Sequence, residues 1–321
     1  HERYSSIPLL ERIDEISLKI AEIEFKGNKS RAKQIRKWLR ERLNISIDMK
    51  EIYKGFFRSN EFKKVYDKDL PDSYINKLDS KDISYEDACL FVYMKSLLTF
   101  LGYDYMIEQT IIDEAQDYNV LQYILLKKIL RKSKFTILGD INQTINPYYE
   151  YKSLEDLKQV FPDSVNYIEL NKTYRSSPEI IEHANKILGL NLVSAIRRDT
   201  HIPVEFRQED NLKELLSNDI NNLKKNNRSI AIITKTDTEA ADIYKLLKRD
   251  FEELTLIANN SKAFSRELVV IPSYMAKGLE YDATIVYTHT DNQFSYKERY
   301  LYYVACTRSQ HHLIIYNQKE A

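Results

Sequence analysis

Two carboxylates stand side by side in Ile111-Ile112-Asp113-Glu114-Ala115-Gln116-Asp117, directly after a short apolar run. At the carboxyl edge of an open α/β sheet, where ligands bind, such a pair suits a magnesium nucleotide. Asp113 would hold the metal, usually through water, and Glu114 would polarise the water that attacks a γ-phosphate. An Asp-Glu pair after a strand is by itself usually a turn or a helix cap, so its neighbours decide. One strand later, Ile137-Leu138-Gly139-Asp140-Ile141-Asn142-Gln143 projects polar groups from a glycine-permitted turn, and Gln143 can report on the γ-phosphate. In Tyr174-Arg175-Ser176 an aromatic ring able to stack on a base adjoins a guanidinium able to fork onto phosphate oxygens. Farther on, Val269-Val270-Ile271 leads into Ser273-Tyr274-Met275-Ala276-Lys277-Gly278-Leu279-Glu280-Tyr281-Asp282, and a later helix closes on Tyr303-Val304-Ala305-Cys306-Thr307-Arg308.

The elements that must position these residues can be read from periodicity. From Ile7 to Phe100, Leu9, Leu10, Ile13, Ile16, Ile20 and Ile23 begin a recurrence at spacings of three and four with charge on the other faces, which predicts an all-helical region. Within it, Lys26 to Arg40 is a basic run containing Trp38; it could track a phosphate backbone, although a solvated helix face is the commoner meaning of such a run. Near Tyr105 the period changes. Thr110–Ile112, Phe135–Leu138 and Val165–Leu170 read as strands, alternating with helical patterns at Val120–Leu130 and Leu154–Val160, and Ser177-Pro178 opens a further helix. After a polar linker around Arg197 to His201, a second series predicts strands at Val204–Arg207, Ile230–Thr234, Leu254–Ile257, Leu268–Ile271, Thr284–Tyr287 and Leu313–Tyr316. Helices fall at Leu212–Leu223, Thr238–Leu247 and Glu298–Cys306. Alternation of this kind predicts parallel sheets with crossover helices.

Bulk properties bound the function classes. The 321 residues suffice for two or three domains, and 43% hydrophobic content can fill a core in each. With 48 basic and 48 acidic residues, nucleic-acid binding would have to be local rather than driven by net charge. Cys89 and Cys306 sit in apolar patterns without CxxC spacing, so buried reduced thiols are expected. No apolar run approaches a membrane span and nothing resembles a signal peptide, so a cytoplasmic setting without membrane partners is expected.

Taken in order, Asp-Glu-Ala-Gln-Asp, Gly-Asp-x-x-Gln, Tyr-Arg-Ser, Lys-Gly-Leu-Glu and Val-Ala-x-Thr-Arg resemble motifs II through VI of UvrD/Rep-type superfamily 1 helicases. The resemblance implies an ATP- and Mg2+-dependent nucleic-acid motor of α/β class: two RecA-like parallel-sheet domains, the first incomplete, with a helical amino-terminal insertion. The implied boundaries are 1–104 for the helical insertion, 105–196 for the rest of the first motor domain with motifs II to IV, and 197–321 for the second with motifs V and VI. It implies further that Asp113 and Glu114 are the magnesium and water-activating carboxylates, and that Gln143 couples the γ-phosphate to nucleic-acid contacts. Arg175 and Arg308 would flank the γ-phosphate. Tyr174 would stack on adenine, Lys277 and Gly278 would lie at the nucleotide, and Glu280 would bind the ribose. The implied track is DNA, single-stranded or at a duplex junction, with Tyr148, Ser273 and Tyr274 as candidate contacts.

Departures from the pattern carry information too. After Gln143 the chain runs Thr144-Ile145-Asn146-Pro147-Tyr148-Tyr149 where UvrD and Rep have a Tyr-Arg-Trp segment, so Tyr148 takes the place of the stacking tryptophan. This variant, with Ile83-Ser84-Tyr85-Glu86-Asp87-Ala88 and Pro272-Ser273-Tyr274, is more similar to HelD-like proteins. That branch implies RNA polymerase as a partner. The alternatives are a UvrD/Rep-type DNA repair helicase and a non-catalytic interaction scaffold derived from a helicase. No Gly-x-x-x-x-Gly-Lys phosphate loop occurs; Gly27-Asn28-Lys29-Ser30 reads as a turn between helices. Family order places that loop upstream of His1, in another segment of the same gene product. The expectation is therefore that this chain alone binds ATP weakly and does not hydrolyse it.

Overall fold

Residues 7–43, 45, 48–66, 70–77, 83–102, 104–145, 151, 153–161, 165–190, 193–196, 201–208, 211–258 and 267–318 are described by a computed structural model. The early apolar recurrence builds helices. Helix α1 (Leu9–Phe25) stops where Lys26 and Gly27 turn left-handed, at φ 51° and 76°. Asn28 then caps α2 (Lys29–Arg42) by accepting the Ser30 and Arg31 N–H groups. The Gly-Asn-Lys-Ser segment is thus an interhelical turn, as expected. Helices α3 (Met49–Phe57), α4 (Asn60–Val65), α5 (Asp72–Lys77) and α6 (Tyr85–Leu98) follow. Tyr53, Phe57 and Ile75 form a small core, and the buried Asp87 carboxylate accepts hydroxyls from Tyr53 (3.0 Å), Tyr74 (2.5 Å) and Ser84 (2.8 Å). Three charge-assisted bonds offset the desolvation of that carboxylate.

Strand β1 (Gln109–Ile112) pairs in parallel with β2 (Lys134–Ile137), and α7 (Val120–Ile129) forms the crossover between them, its start fixed by a reciprocal Asn119–Gln122 capping box. These elements belong to one compact unit, the chain up to Asp113 together with Tyr118–Leu138.

The second unit comprises Glu114–Asp117 and everything from Gly139 onward. It opens with a short parallel pair, β3 (Lys172–Thr173) and β4 (Ser194–Ala195), joined through α8 (Pro178–Leu188) with Ser177 at its cap and proline in its first turn. Its main sheet contains β5 (Glu205–Arg207), β6 (Ile230–Thr234), β7 (Thr255–Leu256), β8 (Leu268–Pro272), β9 (Tyr281–Tyr287) and β10 (Ser309–Tyr316). All pairs are parallel, in the order β5-β10-β9-β6-β8-β7. Because neighbouring residues of a strand point to opposite faces, Ile230 and Ile232 of β6 join one core while Ala231 and Ile233 join the other. The first core is roofed by α9 (Leu212–Leu223) and α10 (Asp237–Leu247), the second by α8 and α11 (Arg299–Cys306). A sheet buried on both faces explains why its strands read as continuous apolar runs rather than alternations.

The chain is an α/β protein of parallel sheets and crossover helices behind a helical amino-terminal region, the class expected for a RecA-like arrangement. One expected strand differs: Val165–Leu170 pairs with no strand among the described residues, and Ile168 and Leu170 are exposed. An apolar run gains strand structure only from a neighbour that satisfies its backbone groups, and none is described there. Both cysteines are buried and unoxidised, as expected. Among the described residues, no helix is long and apolar enough to cross a membrane.

Candidate functional site

Within the second unit, the Glu114–Asp117 turn and the Gly139–Gln143 turn interlock through one side chain. Gln116 is buried; its amide nitrogen donates to Glu114 Oε2 at 2.7 Å and its oxygen accepts the Asp140 N–H at 3.0 Å. The contact explains Gly139 better than a special backbone angle does. A Cβ there would meet Gln116 Oε1 at 2.6 Å and the Ala115 Cβ at 2.9 Å. The expected glycine-permitted turn is therefore a close approach of two segments. Glu114 itself takes a left-handed φ of 51°, a conformation that costs a non-glycine residue about 1–3 kcal/mol and turns its carboxylate toward Gln116.

Gln143 is held from both ends. Its Nε2 donates to Asp140 Oδ2 at 2.9 Å, and its Oε1 accepts Arg308 Nη2 at 2.7 Å, which together fix the amide orientation. Arg308 is only 1% exposed, the largest fully buried side chain among the described residues. Its Nε also donates to the Val304 carbonyl at 3.1 Å. Burial pulls its basicity down to about 10, and the neighbouring Arg175 adds to this, while Glu114 and Glu280 act in the opposite sense. It stays cationic at neutral pH. Burial likewise pushes the Tyr303 hydroxyl up, with Asp140 reinforcing the shift, so this neighbour is neutral.

Arg175 Nε pairs with Glu280 Oε1 at 2.6 Å, and Glu280 Oε2 accepts Gln310 Nε2 at 3.0 Å. The Tyr-Arg-Ser turn is anchored by Ser176 Oγ donating to the Ser309 carbonyl at 2.6 Å and by the Ser177 N–H donating to the Gln310 carbonyl at 3.0 Å. Tyr174 is 70% exposed, leaving its ring open to stacking. Lys277, whose side chain is 9% exposed, reaches Asp117 Oδ2 at 2.6 Å and Glu114 Oε2 at 3.3 Å. Gly278 follows at φ 77°, with open space around a would-be Cβ, so here the backbone conformation itself calls for glycine.

Glu114, Gln143, Tyr174, Arg175, Lys277, Gly278, Glu280 and Arg308 thus all lie in the second unit, and most are tied by the contacts above. Asp113 is exposed just past the end of β1, in the first unit. Ser273 is buried, donating to the Lys235 carbonyl at 3.3 Å, and the Tyr274 hydroxyl donates to Asp237 at 2.8 Å. Tyr148 lies outside the described residues. Gln116, Asp117 and Asp140 stand inside the motifs without a role that the sequence assigns them. The same holds for Tyr303. A polar residue such as Gln116 sitting in a motif between a carboxylate and an apolar helix was the available signal. Arg308 and Glu280 leave the sheet at the amino ends of β10 and β9. Beyond the carboxyl end of β6, which stays paired with β9 up to Thr234 and Tyr287, Lys235 bonds Asn292, the Gln293 carbonyl and Glu298.

The donor chemistry fits a polyphosphate better than a caged metal. Two arginines and a lysine lie beside three carboxylates, Glu114, Asp117 and Glu280, and no group of three or more His, Cys, Asp or Glu side chains placed to hold a metal occurs among the described residues. A magnesium ion held by one or two carboxylates and completed by phosphate oxygens suits such a set.

The chain is similar in sequence to known helicases. Residues 7–155 match the family model of the UvrD/REP helicase N-terminal domain. ATP-dependent DNA helicase Rep of Buchnera aphidicola subsp. Baizongia pistaciae is 30% identical over 194 residues, 59% of this chain and 28% of that protein. ATP-dependent DNA helicase UvrD1 of Mycobacterium tuberculosis is 25% identical over 126 residues, 36% of this chain and 16% of the relative. The C-terminal domain of a possible DNA helicase from Lactobacillus plantarum WCFS1 aligns with 45% of this chain and 86% of its own at 28% identity, with a TM-score of 0.37. The sequence matches support a UvrD/Rep-type superfamily 1 helicase; the chain spans under a third of the length of the curated relatives it matches.

Proposed function

We propose that this chain is part of an ATP-dependent nucleic-acid translocase or helicase, with 1–104 as the helical insertion, 105–196 as part of the first motor domain and 197–321 as the second. The single observation that carries this is the buried Arg308 guanidinium, held on Gln143 at 2.7 Å within reach of Glu114 and Arg175. A cation kept out of water at a cost, with a hydrogen bond to a γ-phosphate-sensing candidate, is suited to charge that develops during phosphoryl transfer. Glu114 would orient the attacking water while Gln116 holds its second oxygen. Arg175 and Arg308 would neutralise phosphate oxygens, Tyr174 would stack on the adenine, and Glu280 would take the ribose. Because Arg175 and Glu280 pair with each other, and Lys277 pairs with Glu114 and Asp117, nucleotide entry would exchange protein partners rather than expose bare charges. Magnesium, held at Asp113, would supply charge neutralisation of the phosphates.

No phosphate loop lies within the 321 residues. We therefore propose that turnover needs a segment bearing one. The test is phosphate release, with and without single-stranded DNA, by the chain joined to its native P-loop segment. Turnover that falls at least ~100-fold in Glu114→Gln supports a motor. A joined protein that stays inert supports the scaffold alternative.

Within the class, the Thr144–Tyr149 departure and the Ile83–Ala88 segment favour the HelD-like branch, with RNA polymerase as partner. Retention of RNA polymerase by the intact tagged protein, in nuclease-treated extract, supports that branch. Its absence, alongside DNA unwinding, returns the choice to a UvrD/Rep-type repair helicase.

A further inference from the structure

Helix α2 is the most one-sidedly charged element of the first unit. Its fourteen residues include Lys29, Arg31, Lys33, Arg36, Lys37, Arg40 and Arg42 against Glu41 alone. Part of this charge serves the helical hairpin: Arg36 and Arg40 both pair with Asp14 of α1, at 2.6 and 3.5 Å, and Ala32 is the one buried residue of the helix. On the opposite face the contacts are exposed ones: Arg31 lies 5.5 Å over the Phe25 ring and donates to Gln34 at 2.9 Å, and Lys37 pairs with Glu41 at 3.8 Å. Trp38 is 59% exposed there. At about 100° per residue, Arg31 and Arg42 lie within roughly 40° of Trp38 around the axis, Gln34 lies on its other side, and Lys37 and Glu41 complete the arc. Arg31, Lys37 and Arg42 are all exposed, and Glu41 is the single opposing charge. Along the axis, Arg31 and Arg42 are separated by about 16 Å with Trp38 between them, a span that several nucleotides of an extended strand can cover.

An indole 59% exposed between arginines, on a face whose cations hold only solvent-exposed partners, matches what an exposed base and its phosphates require: a flat ring to stack on and cations to flank it. We propose that this face of α2 binds single-stranded nucleic acid, with Trp38 stacking on a base and Arg31, Lys37 and Arg42 contacting phosphates. Duplex nucleic acid hides its bases and would engage the cations without the ring. The residues of this surface belong to the first unit and take no part in the candidate nucleotide cluster, so the proposal stands whether or not the chain hydrolyses ATP.

Trp38 is the only tryptophan in the sequence, so its emission reports on this face alone. The 321-residue chain is titrated with an oligothymidylate at low salt while emission is followed, and binding is measured in parallel by anisotropy of a labelled copy. Saturable quenching that tracks the anisotropy is expected. The Arg31→Gln, Lys37→Gln, Arg42→Gln variant, checked for unchanged helicity, should bind at least ~10-fold more weakly and lose about 2 from the slope of log affinity against log salt. Trp38→Phe should weaken binding while keeping the wild-type slope. Anisotropy that rises without change in Trp38 emission would overturn the inference while leaving the motor reading intact. No binding at low salt, an unaltered slope in the triple variant, or equal quenching by duplex DNA or polyglutamate would also overturn it.

Discussion

Replacing Arg308 by methionine separates a cation held for function from one held for stability. The drop in basicity to about 10 corresponds to about 3 kcal/mol against the charged form in the folded protein. The sign follows from linkage. The group is protonated in both states at neutral pH, and the folded state releases its proton first, so the penalty is full below about pH 10 and fades only as pH rises toward the unfolded value. Methionine, unbranched and of comparable reach, removes that penalty. Against the gain stand the acceptors left behind: Gln143 Oε1 and the Val304 carbonyl at about 1 kcal/mol each, and the Leu279 carbonyl and Thr307 Oγ1, both 3.4 Å away, at roughly half that or less. Gln143 keeps its bond to Asp140, so its side chain should stay in place. The net expectation for Arg308→Met is a stability within about 1 kcal/mol of wild type, or slightly above it. Arg308→Lys, which keeps a buried charge but loses the planar fork, should cost about 2 kcal/mol. Urea unfolding at pH 7 and 25 °C, followed by far-ultraviolet circular dichroism, measures both. A loss above about 3 kcal/mol in Arg308→Met would refute the reasoning, because the guanidinium would then be structural cement.

Gly139→Ala should destabilise the chain by about 2 kcal/mol, since the new methyl would displace Gln116 and Ala115; an unchanged denaturation midpoint would show that the two turns do not pack as described. Lys277→Met leaves Asp117 and Glu114 without their shared cation and should cost about 1–2 kcal/mol, with a double-mutant cycle against Asp117→Asn returning a coupling of similar size. His183 is buried against Tyr302, and burial lowers its basicity to about 4. The unfolded chain therefore takes up this proton first as pH falls, so the stability is complete above about pH 6.5 and declines by about 2–3 kcal/mol by pH 4.5. His183→Gln should flatten that part of the acid limb, and urea midpoints at pH 7.5 and 4.5 for the two proteins would show whether it does.

Much of the second unit was legible because a sheet covered on both sides writes itself as continuous apolar runs. Ile230–Thr234 and the helix Leu212–Leu223 fall where periodicity and turn residues put them. Strand ends were less legible: β9 begins at Tyr281 rather than Thr284, because Asp282 is drawn in by the N–H groups of Arg228 and Ser229, partners distant in sequence. Val165–Leu170 shows the converse limit, an apolar run whose strand character depends on a neighbour. The motif residues could be named from their order, but the pairs they make could not. Arg308 with Gln143, Arg175 with Glu280 and Lys277 with Asp117 join positions more than a hundred residues apart, and only the folded backbone brings them within bonding distance. The place of Gln116 inside a motif marks it as a polar residue of interest, but its bond to the Asp140 N–H joins turns 24 residues apart and needs the folded backbone.

The sharpest check is steady-state phosphate release by the P-loop-bearing protein, on saturating single-stranded DNA, comparing wild type with Arg308→Met. If the buried guanidinium serves phosphoryl transfer, turnover should fall by about a thousandfold or more while the fold stays intact. Turnover within a few-fold of wild type would contradict the assignment of this cluster to ATP hydrolysis.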